Sequence, residues 1–366
     1  MEKTSVYSTM QIEELSYVES KPIVSGKIKI DFSDFRVKED LGFTPTGNGE
    51  HAFVQVTKKG LTTLNIAKKI SEVAGHKLSA IGYSGMKDKN GECTQWFSFP
   101  FSNDVDRILN AMESTNLRIV ASHRNQSKLK IGSHKRNDFN ITIRSCVGDR
   151  DNFENRLKAT QTHGVPNYFG MQRFGHKFQN ISAVHDLMAT EIESTLPNNL
   201  ENRRRVSNIE RGILISSARA YLFNQVLSLR LELKNWSSYL AGDVLNLNGT
   251  DSYFVLGQDD QEDMVQKRID IFDIHISGPL AGCFSSKDKY VTRSKAADIE
   301  VRSLQNHEAL IMGLKQLNVP ATRRPLRFRP ENLQWSWKDK DTLNISFSLR
   351  KGCYATSLLR EVCLFS

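Results

Sequence analysis

The sequence contains no long apolar run, which argues against a membrane-spanning chain. Its unbroken apolar stretches span only a few residues, whereas about 20 are needed to cross a bilayer as a helix. The opening segment, MEKTSVYSTMQIEELSYVES, has neither the apolar core nor the small-residue cleavage site of a secretory signal. We therefore expect no signal peptide and no membrane partner.

Cysteines are few, and their spacing is not that of a metal site. The five cysteines, at 93, 146, 283, 353 and 363, form no CxxC pair, and an odd number fits free thiols in a reducing compartment. The nine histidines form no HExxH and no other metal-binding pair. We expect a cytoplasmic protein without a metal.

Cofactor and nucleophile motifs are missing as well. No GxxxxGK[ST] loop and no GxSxG elbow occurs. The segment GNGEHA (47–52) resembles a dinucleotide-binding fingerprint, but it precedes a strand instead of opening a helix. These absences weaken the NTPase, serine hydrolase and dehydrogenase interpretations, and we expect no nucleotide cofactor.

Positive charge is in excess and unevenly placed. The net charge is +9, and residues 121–150 carry seven Lys or Arg against two acids. The stretch ATRRPLRFRP (321–330) carries four arginines and no acid, whereas 251–270 carries six acids. This pattern fits either a solvated basic surface or a nucleic-acid partner.

Hydrophobic periodicity predicts an α+β fold. The first 164 residues read as a mainly antiparallel sheet with helices, a mixed segment follows, and strand patterns return after Pro320. The chain is long enough for two domains, so we expect a strand-rich unit (1–164), an insertion (165–318) and a completing segment (319–366). The predicted strands are 26–39, 51–57, 77–85, 94–100, 117–123, 139–146, 333–337 and 342–352, with a hairpin at 243–257; the predicted helices are 62–75, 103–113, 149–164, 212–233, 294–317 and 353–362.

One polar loop, GMKDKNGECTQ (85–95), lies between two apolar strand patterns and carries Asp88. A lone aspartate in such a loop is most often a turn or capping residue. Neighbouring lysines would favour its charged form, however, and a carboxylate that acts as nucleophile or base needs that form. With no cofactor motif present, a single-carboxylate mechanism is natural if the chain is an enzyme.

Several segments in order resemble the TruD-type tRNA pseudouridine synthases. The Asp88 loop resembles their G-x-K-D-(K/R) signature, and VPNYFGMQRFG (165–175) is similar to the segment that opens their characteristic insertion. The other matching segments are KIDFSDFRVKE (29–39), GNGEHAFVQVTKKGLTT (47–63), KLKIGSHKRNDFNITIR (128–144), ARAYLFNQVL (218–227), GPLAG (278–282) and CYATSLLREV (353–362). One departure is Gly91-Glu92-Cys93, where the family commonly shows Ala-x-Thr.

The resemblance implies an α+β pseudouridine synthase catalytic domain with a mainly antiparallel sheet, interrupted by a mixed α/β TRUD insertion domain. It also implies an isomerase that converts uridine to pseudouridine without a cofactor, with tRNA as the partner and U13 of the D arm as the target. A monomer is expected. Two alternatives stay open: a non-catalytic RNA-binding or RNA-folding protein on the same fold, and the same chemistry at another RNA position. A methyltransferase is a remote third, since no cofactor loop supports it.

The resemblance also assigns roles to individual residues. Asp88 would be the catalytic carboxylate, and Lys29 the basic residue that keeps it ionised. Phe35, Asn137, Phe139 and Tyr354 would bind the substrate, the aromatic rings by stacking and the amide through a base edge or ribose hydroxyl. Plain alternatives are an exposed strand lysine for Lys29, core packing for the aromatic residues and a turn role for Asn137. The basic stretches 121–136 and 321–329 would contact phosphates.

Overall fold

The computed structural model describes residues 15–175, 178–193, 207–256, 261–284 and 291–365. Sixteen strands and nine α-helices lie within these ranges. The strands are β1 (Ser25–Lys27), β2 (Phe35–Asp40), β3 (His51–Lys59), β4 (Gly82–Tyr83), β5 (Glu92–Pro100), β6 (Leu117–Asn125), β7 (Arg136–Val147), β8 (Val165–Pro166), β9 (Val244–Leu247), β10 (Tyr253–Val255), β11 (Ile274–Leu280), β12 (Thr322–Pro325), β13 (Arg327–Phe328), β14 (Glu331–Trp337), β15 (Leu343–Arg350) and β16 (Leu364–Phe365). The helices are α1 (Thr63–Ala74), α2 (Val105–Met112), α3 (Arg150–His163), α4 (Gln179–Glu193), α5 (Asn208–Glu232), α6 (Glu262–Asp270), α7 (Ser294–Leu304), α8 (Glu308–Gln316) and α9 (Ala355–Val362).

Two compact units divide the chain. The sheet unit comprises the described parts of Pro22–Thr162, Pro330–Ala355 and Val362–Ser366. The helical unit comprises the described parts of Met1–Lys21, His163–Arg329 and Thr356–Glu361. The domain boundaries predicted from the sequence, at 164/165 and 318/319, concern functional domains and not these compact units. They stay predictions.

The sheet unit is built on one ten-stranded sheet with the central order β14-β15-β7-β2-β5-β3-β6. Its pairs are antiparallel except β2 with β5 and β1 with β16. The α+β fold with a mainly antiparallel sheet is thereby confirmed. Strand β2 lies between β7 and β5, so residues 35–40 pair with 136–141 and residues 36–38 pair with 92–94.

Helices α1 and α2 cover one end of this sheet. Thr62 accepts the main-chain N–H of Asn65 and caps α1, and Gly75 ends it with a left-handed φ of 67°. The buried positions of α1 are 63, 66, 67 and 70, the spacing of one helix face. Leu64, the second residue of α1, lies outside this face and is 43% exposed.

Three predicted elements are interrupted in the structure. The strand over 26–39 breaks into β1, a 3-10 turn at Phe32–Asp34 and β2. The strand over 77–85 is mainly a 3-10 turn (Leu78–Ala80) followed by the two-residue β4. The helix over 294–317 is two helices, α7 and α8. Apolar alternation does not reveal such breaks, because the local hydrogen bonds that cause them leave the pattern unchanged.

The helical unit contains a four-stranded sheet, β10-β9-β11-β12, with α5 packed on β11. The aromatic residues of the segment NYFGMQRFG are internal here. Tyr168 and Phe174 are buried, and Phe169 exchanges two main-chain hydrogen bonds with the side chain of Asn224, at 2.9 and 3.0 Å. Packing within this unit therefore accounts for Tyr168, Phe169 and Phe174.

Within the described ranges, no helix has the length and apolar character needed to cross a membrane.

Candidate active site

Asp88 lies in the loop that joins β4 to β5, and hydrogen bonds tie this loop to α1. The main-chain N–H of Lys87 donates to Oγ1 of Thr63 at 2.9 Å. Thr63 donates in turn to Oε1 of Gln95 at 2.9 Å, and Nε2 of Gln95 donates to the carbonyl of Gly85 at 3.4 Å. Thr63 and Gln95 are fully buried, so the loop has a firm base although it has no regular structure.

The Asp88 carboxylate is held in its charged form. It pairs with Nζ of Lys29, and its Oδ1 accepts the main-chain N–H of Asn90 at 2.9 Å. Burial opposes ionisation, but the hydrogen bonds from Lys29 and Asn90 and the charges of Lys29 and Lys58 outweigh it, so the pKa of Asp88 lies below its usual value. The side chain is still 21% exposed. An ionised and accessible carboxylate can act as nucleophile or base.

Lys29 reaches Asp88 because the chain turns sharply after β1. Its φ is 60°, in the left-handed region that residues with a Cβ seldom adopt. Its Nζ lies 4.4 Å from the ring centroid of Phe35 as well as beside Asp88. Lys29 is therefore not a regular strand residue, and its side chain joins the charged and aromatic parts of the site.

Aromatic rings continue from Phe35 across the sheet. Phe35 meets Phe139 edge to face with centroids 6.2 Å apart, and Phe139 stacks on Phe347 at 5.2 Å and 20°. Phe347 lies directly opposite Phe139 in the β15–β7 register. Sequence reasoning missed Phe347: alternation in 342–352 marked a strand, but only the pairing shows which residue it opposes.

Asn137 lies on the same sheet face as these rings. It is two residues from Phe139 on β7 and lies opposite both Glu39 of β2 and Leu349 of β15. Its position inside a strand removes the turn interpretation. Its Oδ1 is buried and, among the described residues, has no hydrogen-bond partner. Such an atom has unused capacity to accept a hydrogen bond.

Tyr354 lies between the end of β15 and the start of α9 and is half-buried. Arg350, the last residue of β15, lies opposite Arg136 at the start of β7. Chain connection therefore places Tyr354 near the end of β7 that carries Asn137. Direct contacts link Asp88, Lys29, Phe35 and Phe139, whereas strand register brings Asn137 to the same face.

A buried ion pair on this face was not foreseen from the sequence. Nζ of Lys87 lies 2.6 Å from Oε2 of Glu39, with side chains 6% and 0% exposed. The other Glu39 oxygen accepts the main-chain N–H of Trp96 at 3.2 Å. Burial, with the charge of Lys87, lowers the pKa of the neighbouring His134. The Lys87–Glu39 ion pair therefore attaches Lys87, the residue before Asp88, to strand β2.

The Gly91-Glu92-Cys93 departure has a local explanation. A Cβ at Gly91 would lie 2.6 Å from the main-chain oxygen of Phe35, so this backbone approach requires glycine. Glu92 forms an ion pair with Lys59 at 3.1 Å. Cys93 is buried, and its Sγ donates to the carbonyl of Asp88 at 3.4 Å; burial raises its pKa, which keeps it a thiol.

Two of the four arginines in the 321–329 stretch, Arg323 and Arg327, are buried in the helical unit and are not available to a phosphate; phosphate contact by the other two stays a prediction. Arg323 is buried and pairs with Glu300 at 2.5 Å. Arg324 lies 4.1 Å from the ring centroid of Phe169. Arg327 is also buried, which lowers its pKa to about 10. Of these arginines, Arg329 alone is exposed.

Among the described residues, no three His, Cys, Asp or Glu side chains lie together in a way that could hold a metal ion.

Comparison with known proteins identifies the family. The family model described as "tRNA pseudouridine synthase D (TruD)" matches residues 11–197 and 203–362. The chain is 36% identical over 346 residues to tRNA pseudouridine synthase D of Xanthomonas oryzae pv. oryzae, covering 93% of this chain and 92% of that one. It is 35% identical over 353 residues to the Proteus mirabilis protein of the same name, covering 96% of each.

A solved structure supports the fold. The structure titled putative tRNA pseudouridine synthase D (TruD) from Methanosarcina mazei superposes with a TM-score of 0.71 at 20% identity and covers 95% of both chains. At that identity the likeness concerns the fold alone, whereas the family model and the bacterial relatives span nearly the whole sequence. The chain therefore belongs to the tRNA pseudouridine synthase D (TruD) family and is an isomerase of the pseudouridine synthase class.

Proposed function

We propose that this protein isomerises uridine to pseudouridine in tRNA, with Asp88 as the catalytic carboxylate. The observation that carries the proposal is the Asp88–Lys29 ion pair beside the Phe35–Phe139 ring pair. It combines an ionised, partly exposed carboxylate with flat aromatic surfaces, which is what a reaction on a nucleoside requires.

The reaction rearranges bonds within one nucleotide. The C1′–N1 bond breaks, the uracil ring turns, and C5 bonds to C1′; C5 loses its proton and N1 gains one. Atoms and electrons balance without an oxidant or a group donor. The ionised Asp88 suits each of three routes, which are attack on the ribose, addition to the base, and abstraction of a ribose proton to give a glycal.

Substrate binding would use the rest of the site face. A uridine in a folded RNA must leave its stack to reach Asp88, and extruded bases are held by stacking and edge hydrogen bonds. Phe35, Phe139 and Tyr354 would supply the stacking surfaces. The unpartnered Oδ1 of Asn137 would accept the N3–H of uracil or a ribose hydroxyl.

We further propose U13 of the D arm as the target, following the resemblance to the bacterial-type family. All of these residues come from one chain, so a monomer suffices for the proposed chemistry. A tRNA substrate also implies a compartment that contains tRNA, and we propose the cytoplasm.

The test compares the wild type with Asp88→Ala and Asp88→Asn on an unmodified tRNA transcript. Pseudouridine is mapped chemically, and turnover is followed by tritium release from 5-³H-uridine. Asp138→Asn is the matched control, because Asp138 is one strand position from Asn137 and faces away, accepting a hydrogen bond from Ser348 at 2.6 Å. We expect both Asp88 variants to lose essentially all activity and the control to keep it.

The outcomes separate the alternatives. A wild type that leaves every uridine unchanged overturns the enzyme proposal, and RNA binding without modification would then favour the RNA-folding alternative. Full activity in Asp88→Ala overturns the site assignment. A transcript in which position 13 is cytidine should accept no modification; modification elsewhere would contradict the U13 proposal while leaving the chemistry intact.

A further inference from the structure

Lys58 carries a buried ammonium group whose contacts all lead to the Asp88 loop or its neighbourhood. The residue is next to last in β3 and is 0% exposed. Its Nζ donates to the main-chain carbonyl of Asp88 at 2.6 Å and to that of Leu61 at 2.7 Å. Asp88, the proposed catalytic residue, is therefore held by a hydrogen bond to its main-chain carbonyl as well as by the ion pair of its carboxylate.

This charge is unusual because the interior provides it with no close carboxylate. Buried lysines are normally paired with an acid, yet no described carboxylate oxygen lies within ion-pair distance of Lys58 Nζ. Burial lowers the pKa of Lys58, while the negative charge of Asp88 opposes the shift. A cation kept in such a place at a cost in free energy points to a role beyond packing.

Cys93 is a second side chain that holds the Asp88 main chain. Lys58 and Cys93 lie directly opposite each other in the β3–β5 register, and Sγ of Cys93 donates to the same Asp88 carbonyl at 3.4 Å. One carbonyl thus receives hydrogen bonds from two neighbouring strands. The Asp88 carboxylate forms an ion pair with Lys29 and accepts a hydrogen bond from the main-chain N–H of Asn90. Different groups therefore hold the backbone and the side chain of Asp88.

We propose that Lys58 is a positioning residue: its buried ammonium holds the Asp88 main chain and thereby sets where the catalytic carboxylate projects. This inference rests on the proposed function. A displacement of about 1 Å in a catalytic group can cost about 10²-fold in rate, and two backbone hydrogen bonds to the sheet are a direct means of preventing it.

The test uses Lys58→Met, which keeps much of the length and removes the charge, and Lys58→Arg, which keeps the charge. The matched control is Lys69→Met. Lys69 of α1 also donates a hydrogen bond from Nζ to a main-chain carbonyl, but this carbonyl belongs to Met112, at 2.6 Å, and not to Asp88. Each variant is measured for kcat, KM, the pH profile of kcat and thermal unfolding with the full chain and the unmodified tRNA transcript.

We expect kcat of Lys58→Met to fall about 10²-fold while KM changes less than about threefold. The acid limb of the pH profile of kcat should move to higher pH, because a positive charge near Asp88 has been removed. The charged or titratable groups around Lys58 are Asp88, Lys87 and Cys93, and none of them is altered. Lys58→Arg should keep the wild-type acid limb and recover part of kcat. Lys69→Met should lose stability only.

A folded Lys58→Met with wild-type kcat and acid limb overturns the inference, as does a loss of stability with no change in either. If Lys58→Met does not fold, Lys58→Gln, whose neutral amide has two N–H donors on a shorter side chain, takes its place under the same criteria. An inactive wild type is a failure of the proposed function instead. In that case the pKa of the Asp88 carboxyl, followed by ¹³C NMR, decides: it should rise in Lys58→Met, and an unchanged value overturns the inference.

Discussion

At the scale of single residues, the site is defined by how positive charge surrounds one carboxylate. Lys29 meets the Asp88 carboxylate directly, whereas Lys58 meets its main-chain carbonyl. Lys29 does so from a left-handed backbone, which costs about 1 kcal/mol or more for a residue with a Cβ. The ion pair with Asp88 and the contact with the Phe35 ring offset part of that cost.

Replacing Lys29 by Met tests the electrostatic role. Asp88 has a lowered pKa in the folded protein, so its charged form persists above that pKa and is lost as the pH falls through it. Without Lys29 the pKa of Asp88 rises, and the acid limb of the activity profile should move to higher pH. We expect kcat at pH 7 to fall by about 10²-fold, measured by tritium release.

Lys27→Met is the control for this change, since Lys27 is exposed on the neighbouring β1. It should keep the wild-type acid limb. An unchanged limb in Lys29→Met would contradict the electrostatic role, even if kcat fell.

At the scale of elements, helix α1 supports the loop as well as the core. Ile66, Ala67 and Ile70 bury its apolar face against the sheet, while Thr63 in its first turn accepts the N–H of Lys87. The order of the loop therefore depends on the helix starting where it does. Thr62 fixes that start by accepting the Asn65 N–H at 3.1 Å.

Thr62→Ala should lower the free energy of unfolding by about 1 kcal/mol, because a helix N–H loses its partner. Fraying of the first turn should also reduce kcat severalfold through Thr63, with the pH profile unchanged. Thr62→Ser keeps the accepting oxygen and should behave like the wild type. Urea unfolding and steady-state kinetics measure both effects; equal stability of the Ala and Ser variants would show that the cap is unimportant.

At the scale of the whole molecule, the +9 charge is only partly available to a partner. Arg323, Arg324 and Arg327 are used inside the helical unit, as the ion pair and ring contacts show. By contrast, Lys130 and Lys135 are exposed in the 121–136 stretch. The surface available to phosphates is therefore smaller than composition suggests.

RNA affinity should nevertheless depend on salt. Between about 50 and 200 mM salt we expect the Kd for tRNA to rise more than about tenfold, because bound phosphates release counterions. Replacing both Lys130 and Lys135 by Gln should flatten the slope of log Kd against log salt, while Arg323→Gln should act on stability and leave the slope alone. Filter binding over a salt series measures this; a slope unaffected by the lysine changes would move the interface elsewhere.

The sequence alone determined the class of fold, most helices and strands, and the loop that presents Asp88. Periodicity depends on residues that are neighbours along the chain, and the family-like motifs are local as well. Both can therefore be recognised in the sequence without knowledge of the fold. The sequence also marked Lys29, Phe35, Asn137 and Phe139, which register and contacts bring to one face. It did not reveal the break at Lys29 or the burial of Arg323 and Arg327.

Only the tertiary structure decided the partners. Phe347 against Phe139, Lys87 against Glu39 and Lys58 beneath Asp88 are contacts between strands or loops far apart in sequence. A buried lysine and an exposed one look alike in the sequence, since burial depends on which strand lies opposite. Pairing of β3 with β5 buried Lys58 and left Lys59 beside Glu92, because side chains alternate between the two faces of a sheet.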